Sequence, residues 1–319
     1  MAARRGGPSA GRSGGPRGGS SGGRGSSSGR GRASSASRNP SRTAKPVRAG
    51  GPRWMIEEKK GIGASKEKDK GLGGEQVEGR QAVRELLIAG RRKVREIWMA
   101  SDIDPAQILK DIEDLAHAQR VTIMEVARKK LEERARTDAP QGIIAFAAPI
   151  PEADFGDLLR GTKNTKPFLV AVDGVTDPGN LGALLRCCDG AGVTGVVLPK
   201  HRTVHVTPTV AKTSAGAVEH VPMALVSGLP TAIKQMKENG IWVVGLDDSS
   251  RETLFEIGKL ANEGICLVLG AEGAGLSRLV KERCDSVVNI PMLGQVTSLN
   301  VSAAAALAVY EVARHRLAD

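Results

Sequence analysis

The C-terminal half of the chain alternates short apolar runs with helical stretches, and this alternation limits its possible folds more than any other feature. From Pro167 onward there are six runs rich in β-branched residues, separated by segments with helical character. Strands that alternate with helices predict a parallel sheet covered by helices on both faces. We expect an α/β fold with strands at residues 168–172, 195–198, 221–226, 241–246, 265–269 and 286–290, and helices near 180–190, 207–217, 229–239, 275–283 and 298–317.

A smaller α/β unit precedes this region. Residues 79–90 carry apolar side chains at helical spacing and end at Gly90, a common helix stop. Further along, the pattern predicts strands at 95–100, 121–124 and 142–148, with helices from Asp104 and near 128–136. Pro149, Pro151 and the polar stretch 160–166 mark a linker. We therefore expect a small α/β domain over residues 75–150 and a larger one over residues 163–319.

Positive charge is concentrated in the first 72 residues. They hold 17 Lys and Arg against 4 Asp and Glu, a net charge of +13, whereas the remaining residues hold 29 against 31, a net charge of −2. The segment is rich in Gly, Ser and Arg, and it has too little apolar surface to offset the entropy cost of ordering. We expect a disordered arm that either binds RNA phosphates without sequence preference or only solubilises the chain.

Cysteine content and hydropathy bear on location. The four cysteines show no zinc-like spacing, and no apolar run approaches the length of a membrane span. These features predict reduced thiols, no membrane segment and a cytoplasmic protein. The Arg-rich and Ser-rich start superficially resembles a transit peptide, but its Gly and Pro content and its lack of an amphipathic period favour a cytoplasmic arm.

Three segments follow predicted strands, where ligands bind in open α/β sheets. The first covers residues 173–186 and reads DGVTDPGNLGALLR. Asn180 stands where a helix N-cap is expected, and Arg186 lies in an otherwise apolar helix. Taken alone, Asn180 is explained by capping, and a surface ion pair explains Arg186 as well as an anion-binding role does.

The second segment, residues 269–276, reads LGAEGAGL. Its glycines allow a backbone to approach a ligand closely, and Glu272 could hold a hydroxyl or orient another side chain. An ordinary Rossmann site has its glycines after the first strand, whereas these follow the fifth. The position therefore argues against an ordinary Rossmann methyltransferase or dehydrogenase.

The third segment, residues 290–302, reads IPMLGQVTSLNVS and leads into an Ala-rich helix predicted to begin near Ser298. Ser298 and Asn300 are both residue types favoured at helix N-termini. A capped C-terminal helix explains the segment by itself. The same polar groups beside free backbone N–H groups could also bind an anion.

Together the three segments resemble the signature motifs of the SpoU (TrmH) family of RNA 2′-O-ribose methyltransferases. The resemblance covers about residues 167–317, and residues 77–148 are similar to the small substrate-binding domain that precedes the catalytic domain in this family. The subgroup it resembles most is the bacterial large-subunit (23S) ribosomal RNA guanosine 2′-O-methyltransferases. The first 72 residues have no counterpart in the family pattern.

The resemblance implies a SPOUT-type, deeply knotted C-terminal domain, a homodimer packed through that domain, and ribosomal RNA as partner. It also implies S-adenosyl-L-methionine as methyl donor, with no metal. The cofactor would bind on loop backbone, and the residues carried over are Leu269, Gly270, Gly273, Ile290, Met292 and Leu299. A bulky side chain at Gly273 is expected to block cofactor binding while leaving the fold intact.

The catalytic candidates implied by the motifs are Asn180, Arg186, Glu272, Ser298 and Asn300. We expect Arg186 to grip an RNA phosphate and stabilise developing alkoxide charge, because a guanidinium is a poor general base. The two asparagines and Ser298 would orient the ribose, and Glu272 would hold either Arg186 or Asn180. Two alternatives stay open: a knotted methyltransferase acting on transfer RNA or a base nitrogen, and a non-catalytic RNA-binding or ribosome-assembly protein.

Overall fold

The computed structural model describes residues 71–162, 165–201 and 203–318. The basic arm predicted for residues 1–72 lies outside the described residues except at its end. There, Leu72 is buried, and its carbonyl oxygen accepts a hydrogen bond from the backbone N–H of Val206 at 2.9 Å. The folded part therefore begins before residue 75, the start of the small domain expected from the sequence.

The small sheet has four strands in the order β1-β4-β2-β3. Strands β2 and β3 are parallel, and β4 runs antiparallel to both β1 and β2. Three of these strands were predicted, whereas β1 is three residues long and carries too little pattern to recognise. The elements are β1 (Gln76–Glu78), α1 (Arg80–Ala89), β2 (Val94–Ala100), α2 (Gln107–Ala118), β3 (Thr122–Val126), α3 (Arg128–Arg134) and β4 (Ile143–Ala147).

Helices cover the two faces of this sheet unequally. Ile97 and Met99 of β2 pack into a core with α1 and α2. The opposite face is covered by the shorter α3, whose Leu131 packs against Ala100 and Ile144. One face is therefore closed by two helices, and the other only in part.

The large sheet is entirely parallel and has seven strands in the order β7-β6-β5-β10-β8-β11-β9. All six predicted strands are confirmed, and β9, only two residues long, is added at the edge. The strands are β5 (Phe168–Asp173), β6 (Gly195–Pro199), β7 (Met223–Val226), β8 (Trp242–Leu246), β9 (Glu252–Thr253), β10 (Ile265–Gly270) and β11 (Ser286–Asn289).

Helices cover both faces of the large sheet. In β5, Phe168 and Val170 belong to one core, while Leu169 and Ala171 belong to the other, so alternate side chains are buried on opposite faces. The helices are α4 (Phe155–Arg160), α5 (Pro178–Gly190), α6 (Pro208–Thr213), α7 (Leu229–Glu238), α8 (Gly258–Ala261), α9 (Arg278–Arg283) and α10 (Val301–Ala318). Helices α4 and α8 were not predicted, and α4 occupies part of the stretch between the two sheets.

A buried ion pair joins the two sheet regions. Arg92, between α1 and β2, donates to Glu219 from Nε at 2.9 Å and from Nη2 at 2.5 Å, and both side chains are 2% exposed. The Nη1 group of Arg92 also donates to the carbonyl oxygens of Gly74 and Ala148 at 2.6 Å each. Because every nitrogen of this guanidinium has an acceptor, the pair is a fully satisfied contact between the small and large sheet regions.

The helices and the cysteines can also be compared with the expectations from the sequence. None of the helices formed by the described residues is long and apolar enough to cross a membrane. The four cysteines, all described, are free thiols.

Candidate active site

The three segments singled out in the sequence meet at the carboxyl edge of the large sheet. They follow β5, β10 and β11, and the first strand of this set is hydrogen-bonded directly to the second. Parallel strands end at the same edge, so their connecting loops are brought side by side. The site is therefore built from loops distant in sequence on a rigid sheet.

The segment after β5 begins α5 with a cap that differs from the prediction. Asp177 is the N-cap, and its carboxylate accepts a 2.7 Å hydrogen bond from the backbone N–H of Asn180. Pro178 takes the first helical position, where its fixed φ and missing N–H are tolerated. Asn180 therefore lies in the first turn, and its side chain is free for contacts outside the helix.

Asn180 is the centre of a hydrogen-bonded network that joins all three segments. Its Nδ2 group donates to Glu272 Oε2 at 3.2 Å, and its Oδ1 atom accepts from Asn300 Nδ2 at 2.8 Å. Asn300 Oδ1 in turn accepts from the backbone N–H and the hydroxyl of Ser302, at 2.8 and 2.6 Å. Of the two partners proposed for Glu272, the one that it contacts is Asn180.

Asn300 immediately precedes α10, which starts at Val301 instead of near Ser298. Its hydrogen bond to the Ser302 N–H satisfies a free donor of the first turn, so Asn300 has the capping role that the sequence suggested. Ser298 lies two residues earlier, is exposed and lines a cavity between the three loops. Its hydroxyl has no hydrogen bond to any other described residue.

Arg186 lies on α5 six residues after Asn180, and its side chain is exposed. Among the described residues it forms no hydrogen bond or ion pair, so a surface ion pair does not explain it. Gly182 lies between these two residues on the same helix, and its lack of a side chain has a structural reason. A Cβ there would lie 2.8 Å from the Val210 carbonyl oxygen and would overlap the Thr213 hydroxyl. Close packing of α5 on α6 therefore requires glycine at this position.

The glycine loop after β10 closes tightly on itself. Ala271 and Gly275 exchange backbone hydrogen bonds of 3.1 and 2.9 Å, and Ser277 N–H donates to Asp173 at 2.8 Å. A Cβ on Gly270 would collide with the backbone carbonyl group of Gly275, so only glycine permits this closure.

Gly273, at the tip of this loop, has φ +75°, and a Cβ added to it would have no neighbouring atom within 4 Å. A side chain at position 273 would therefore have room, as the expectation that it leaves the fold intact requires. The positive φ, however, disfavours a β-branched side chain, so a valine there would also strain the loop.

The cavity between these loops has a volume of about 340 Å³, within the usual range for small-molecule sites. It is lined by all six residues predicted to bind the cofactor: Leu269, Gly270, Gly273, Ile290, Met292 and Leu299. Glu272 and Ser298, two of the catalytic candidates, also line it. Its walls combine exposed loop backbone with apolar side chains, which suits a nucleoside that carries a polar and an apolar part.

Two acidic residues at this edge were not among the candidates from the sequence. Asp247 and Asp248 follow β8 and line the same cavity. Burial opposes ionisation of the Asp247 carboxyl, but hydrogen bonds from Lys281, at 2.8 Å, and from Ser249 outweigh it and hold its pKa below the ordinary value. Their position directly after a predicted strand is a signal that many loop residues share, and only the strand order places the end of β8 beside the cavity.

Comparison with known proteins agrees with this architecture. Residues 167–310 match the SpoU rRNA Methylase family, and residues 76–153 match the RNA 2′-O ribose methyltransferase substrate-binding family. YacO of Bacillus subtilis, whose name assigns it to the TrmH family of tRNA/rRNA methyltransferases, is 45% identical over 242 residues. That alignment covers 75% of this chain and 95% of YacO.

Solved structures share the fold. An RNA 2′-O ribose methyltransferase aligns with a TM-score of 0.61 and 27% identity, over 76% of this chain and 88% of its own. AviRb from Streptomyces viridochromogenes, a SpoU methyltransferase solved with AdoMet, aligns with a TM-score of 0.64 over 76% and 91% of the two chains. At 23% identity AviRb supports the fold alone. These alignments confirm the expected fold class. The chain belongs to the SpoU (TrmH) family of S-adenosylmethionine-dependent RNA 2′-O-methyltransferases.

Proposed function

We propose that the chain methylates the ribose 2′-hydroxyl of a guanosine in 23S ribosomal RNA. The observation that carries the methyl-transfer part of this proposal is the network of Asn180, Glu272 and Asn300 beside the glycine-lined cavity. The family that residues 167–310 match is described as acting on ribosomal RNA, and a separate substrate-binding region precedes it. YacO is named for both transfer and ribosomal RNA, so the RNA class is the part that experiment must decide.

In this proposal the cavity holds S-adenosylmethionine, which supplies a methyl group already activated on a sulfonium. Leu269, Gly270 and Gly273 of the glycine loop line this cavity. Ile290, Met292 and Leu299 of the loop after β11 line it as well. The protein's remaining tasks are to align the ribose hydroxyl with the methyl group, to let the hydroxyl proton pass to solvent as the oxygen takes the methyl, and to stabilise the charge that develops on the oxygen.

The polar network orients the ribose. Asn180 is held by hydrogen bonds on both ends of its amide, so its orientation is fixed before substrate arrives. Glu272 acts through Asn180, and Ser298, which lines the cavity, offers a hydroxyl without another partner among the described residues. A site whose polar groups are already oriented needs less reorganisation when the ribose enters.

Arg186 provides the positive charge. It is exposed and has no anionic partner among the described residues, so its guanidinium is available to an RNA phosphate. A charge-assisted contact of this kind would place the strand and stabilise the alkoxide that develops on the 2′-oxygen. We assign it no role as a proton acceptor, because a guanidinium does not release its proton at neutral pH.

We further propose that the protein acts as a homodimer through the large domain and in the cytoplasm. Along α10, Leu307 and Tyr310 are 48% and 52% exposed, and Phe255 beside them is 63% exposed. A second copy covering these side chains would remove apolar surface from water. The free thiols fit a reducing compartment. Analytical ultracentrifugation tests the dimer, and Tyr310→Glu should shift the protein towards monomer while Arg278→Glu, on the exposed side of α9, should not.

The RNA class is tested by offering equal amounts of unmodified 23S, 16S and transfer RNA with methyl-labelled S-adenosylmethionine. The proposal predicts saturable incorporation into 23S RNA, recovered after digestion as 2′-O-methylguanosine. Incorporation confined to transfer RNA would support the alternative substrate class and overturn the 23S assignment.

A further inference from the structure

The partly covered face of the small sheet carries an unusual group of side chains. Helix α3 covers one end of this face, where Leu131 packs on Ala100 and Ile144. The other end carries Trp98 of β2 and Phe146 of β4, which are only half-buried. Met124 is paired in register with Trp98 and is 38% exposed. We call Trp98, Met124 and Phe146 the aromatic face.

The rings of Trp98 and Phe146 contact each other. Their centroids are 5.4 Å apart with an interplanar angle of 71°, an edge-to-face contact. The whole chain has eight Phe, Trp and Tyr residues, so two of them together on a partly covered sheet face is a strong local concentration. An edge-to-face pair offers ring surface in two directions, which a single ring does not.

Positive charge lies directly above these rings. Lys130 Nζ is 5.0 Å from the centre of the Trp98 ring, and Arg134 Cζ is 5.3 Å from the centre of the Phe146 ring. Both side chains are exposed, and neither has an ion-pair partner within the described ranges. Cations next to aromatic rings are the combination with which proteins hold single-stranded nucleic acid, because bases stack on rings and phosphates pair with cations.

The charge around this face is local. Residues 73–319 have a net charge of −2, so the folded body as a whole does not attract RNA. On and just after α3, Lys129 and Arg136 add two exposed cations to Lys130 and Arg134. Glu132 and Glu133 lie on the same helix, and Glu96 accepts a 3.0 Å hydrogen bond from the Trp98 indole N–H. The carboxylate of Glu96 therefore fixes the ring and leaves the cation side of the face as the path for a phosphate backbone.

We propose that the aromatic face, with Lys130 and Arg134, binds an unpaired stretch of the substrate RNA by stacking its bases. This proposal rests on the proposed function and names the surface and the conformation of RNA that it takes. The occupant is single-stranded RNA, since bases in a duplex are stacked on each other and present no free ring face. A packing role alone would use the stems of Lys130 and Arg134 and their cation–π contacts with the rings, but it would not use the sides of these cations that face solvent.

The test uses Trp98 as its own probe. The chain has three tryptophans, so the full-length double variant Trp54→Phe, Trp242→Phe leaves Trp98 as the only emitter. An unlabelled single-stranded RNA of about 12 nucleotides, within the range of single-strand binding sites, is titrated against it. A duplex of the same length is titrated in parallel, and binding of both is followed independently by anisotropy of end-labelled copies. Stacking predicts saturable quenching of Trp98 by the single strand and little by the duplex.

Variants then separate stacking from charge. Trp98→Leu should weaken single-strand binding about fivefold or more, and Trp98→Phe should restore most of it, because a ring is retained. The double variant Lys130→Gln, Arg134→Gln should reduce the slope of log affinity against log salt by about 1.4, the value for two phosphate contacts on a single strand. Lys110→Gln, on α2 at the closed face, is the matched control and should change neither quantity.

The outcomes distinguish this proposal from the function it rests on. S-adenosylmethionine affinity and methylation of ribosomal RNA are measured on the same variants. One outcome is that Trp98→Leu and the double variant Lys130→Gln, Arg134→Gln methylate RNA with an unchanged KM for RNA, and that RNA binds without quenching Trp98. In that case the aromatic face is not the RNA surface, although the enzyme assignment stands. Quenching by single-stranded RNA in a protein that methylates no RNA would leave the surface standing and remove the proposed substrate. Quenching by the duplex as strong as by the single strand would overturn stacking as the mode of binding.

Discussion

Asn300 Nδ2 donates a 2.8 Å hydrogen bond to Asn180 Oδ1, joining two residues 120 positions apart in the chain. One lies in the first turn of α5 and the other immediately before α10, so a single contact couples the starts of the two helices that lie side by side at the site. Glu272 binds the other end of the same amide. The geometry of the polar side chains is therefore set by the fold before any ligand binds.

The two roles of Asn300 can be separated by substitution. Asn300→Ala removes both the cap of α10 and the contact with Asn180, and it should cost about 0.5–2 kcal/mol of unfolding free energy and most of the activity. Asn300→Ser retains a capping oxygen for the Ser302 N–H but is too short to reach Asn180. We expect near-normal urea denaturation and a reduced kcat for the serine variant. Equal losses of stability in the two variants would show that the cap does not depend on this oxygen.

Arg186→Ala should lower the single-turnover methylation rate by about 100-fold or more, the usual loss when a charge-stabilising donor is removed. Affinity for S-adenosylmethionine, measured by calorimetry, should stay unchanged because Arg186 does not line the cavity. Arg278→Ala, at an exposed ion pair on α9, serves as control and should leave both measurements as in the wild type. Methylation by Arg186→Ala at a near-normal rate would remove Arg186 from the reaction.

A matched pair of glycines tests the position of the cofactor. Gly273 and Gly192 both have φ +75° with open space around them, but Gly273 lines the cavity and Gly192 lies in the turn after α5. Asparagine tolerates this backbone conformation. Gly273→Asn should weaken S-adenosylmethionine binding about tenfold or more, or about 1.4 kcal/mol, while Gly192→Asn should not. Equal affinities in calorimetry would move the cofactor away from this loop.

The buried pair between Arg92 and Glu219 should dominate the stability of the contact between the small and large sheet regions. Glu219→Gln leaves a buried guanidinium without its counter-charge, and the expected loss of unfolding free energy is about 3–5 kcal/mol. Glu282→Gln breaks an exposed pair with Arg278 and should cost less than about 1 kcal/mol. Urea denaturation of the two variants compares them. A loss below about 1 kcal/mol for Glu219→Gln would mean that the contact is held mainly by its apolar packing.

The basic segment at the start of the chain should contribute affinity without choosing the target. We expect deletion of residues 1–70, which spares the buried Leu72, to weaken RNA binding at low salt and to flatten its salt dependence. The methylated nucleotide and the saturated rate should not change. RNA affinity at several salt concentrations, with product mapping for each protein, measures this. A new methylation site in the truncated protein would show that the segment reads the target.

The sheet was predictable from the sequence because its strands are buried on both faces. A strand such as β5 or β10 is a continuous apolar run. Such runs are typical of the strands of a parallel sheet that is covered by helices on both faces. Strands β1 and β9 have three and two residues, too few for any periodicity to show. Their pairing depends on neighbouring strands and not on their own sequence.

The site was predictable in outline and not in its contacts. The carboxyl-end rule locates the loops, but residue preference alone favours Asn180 as the helix cap, whereas Asp177 fills that role. Proline prefers the first helical position, so Pro178 was the available signal that the cap lies one residue before it. Asp247 carries no motif that marks it. Its place at the cavity follows only from the strand order, which sequence periodicity does not determine.

The central claim is that the methyl group is transferred to a ribose oxygen at the site built around Asn180. In the most direct measurement, the protein is given S-adenosylmethionine with a trideuterated methyl group and unmodified ribosomal RNA. The RNA is then digested, and the masses of the nucleosides and of their fragments are measured by mass spectrometry. The account predicts that the label stays with the ribose fragment of one nucleoside, and that Arg186→Ala forms this labelled nucleoside at least about 100-fold more slowly. A label on the base fragment, or labelled ribose produced equally by that variant, would contradict the account.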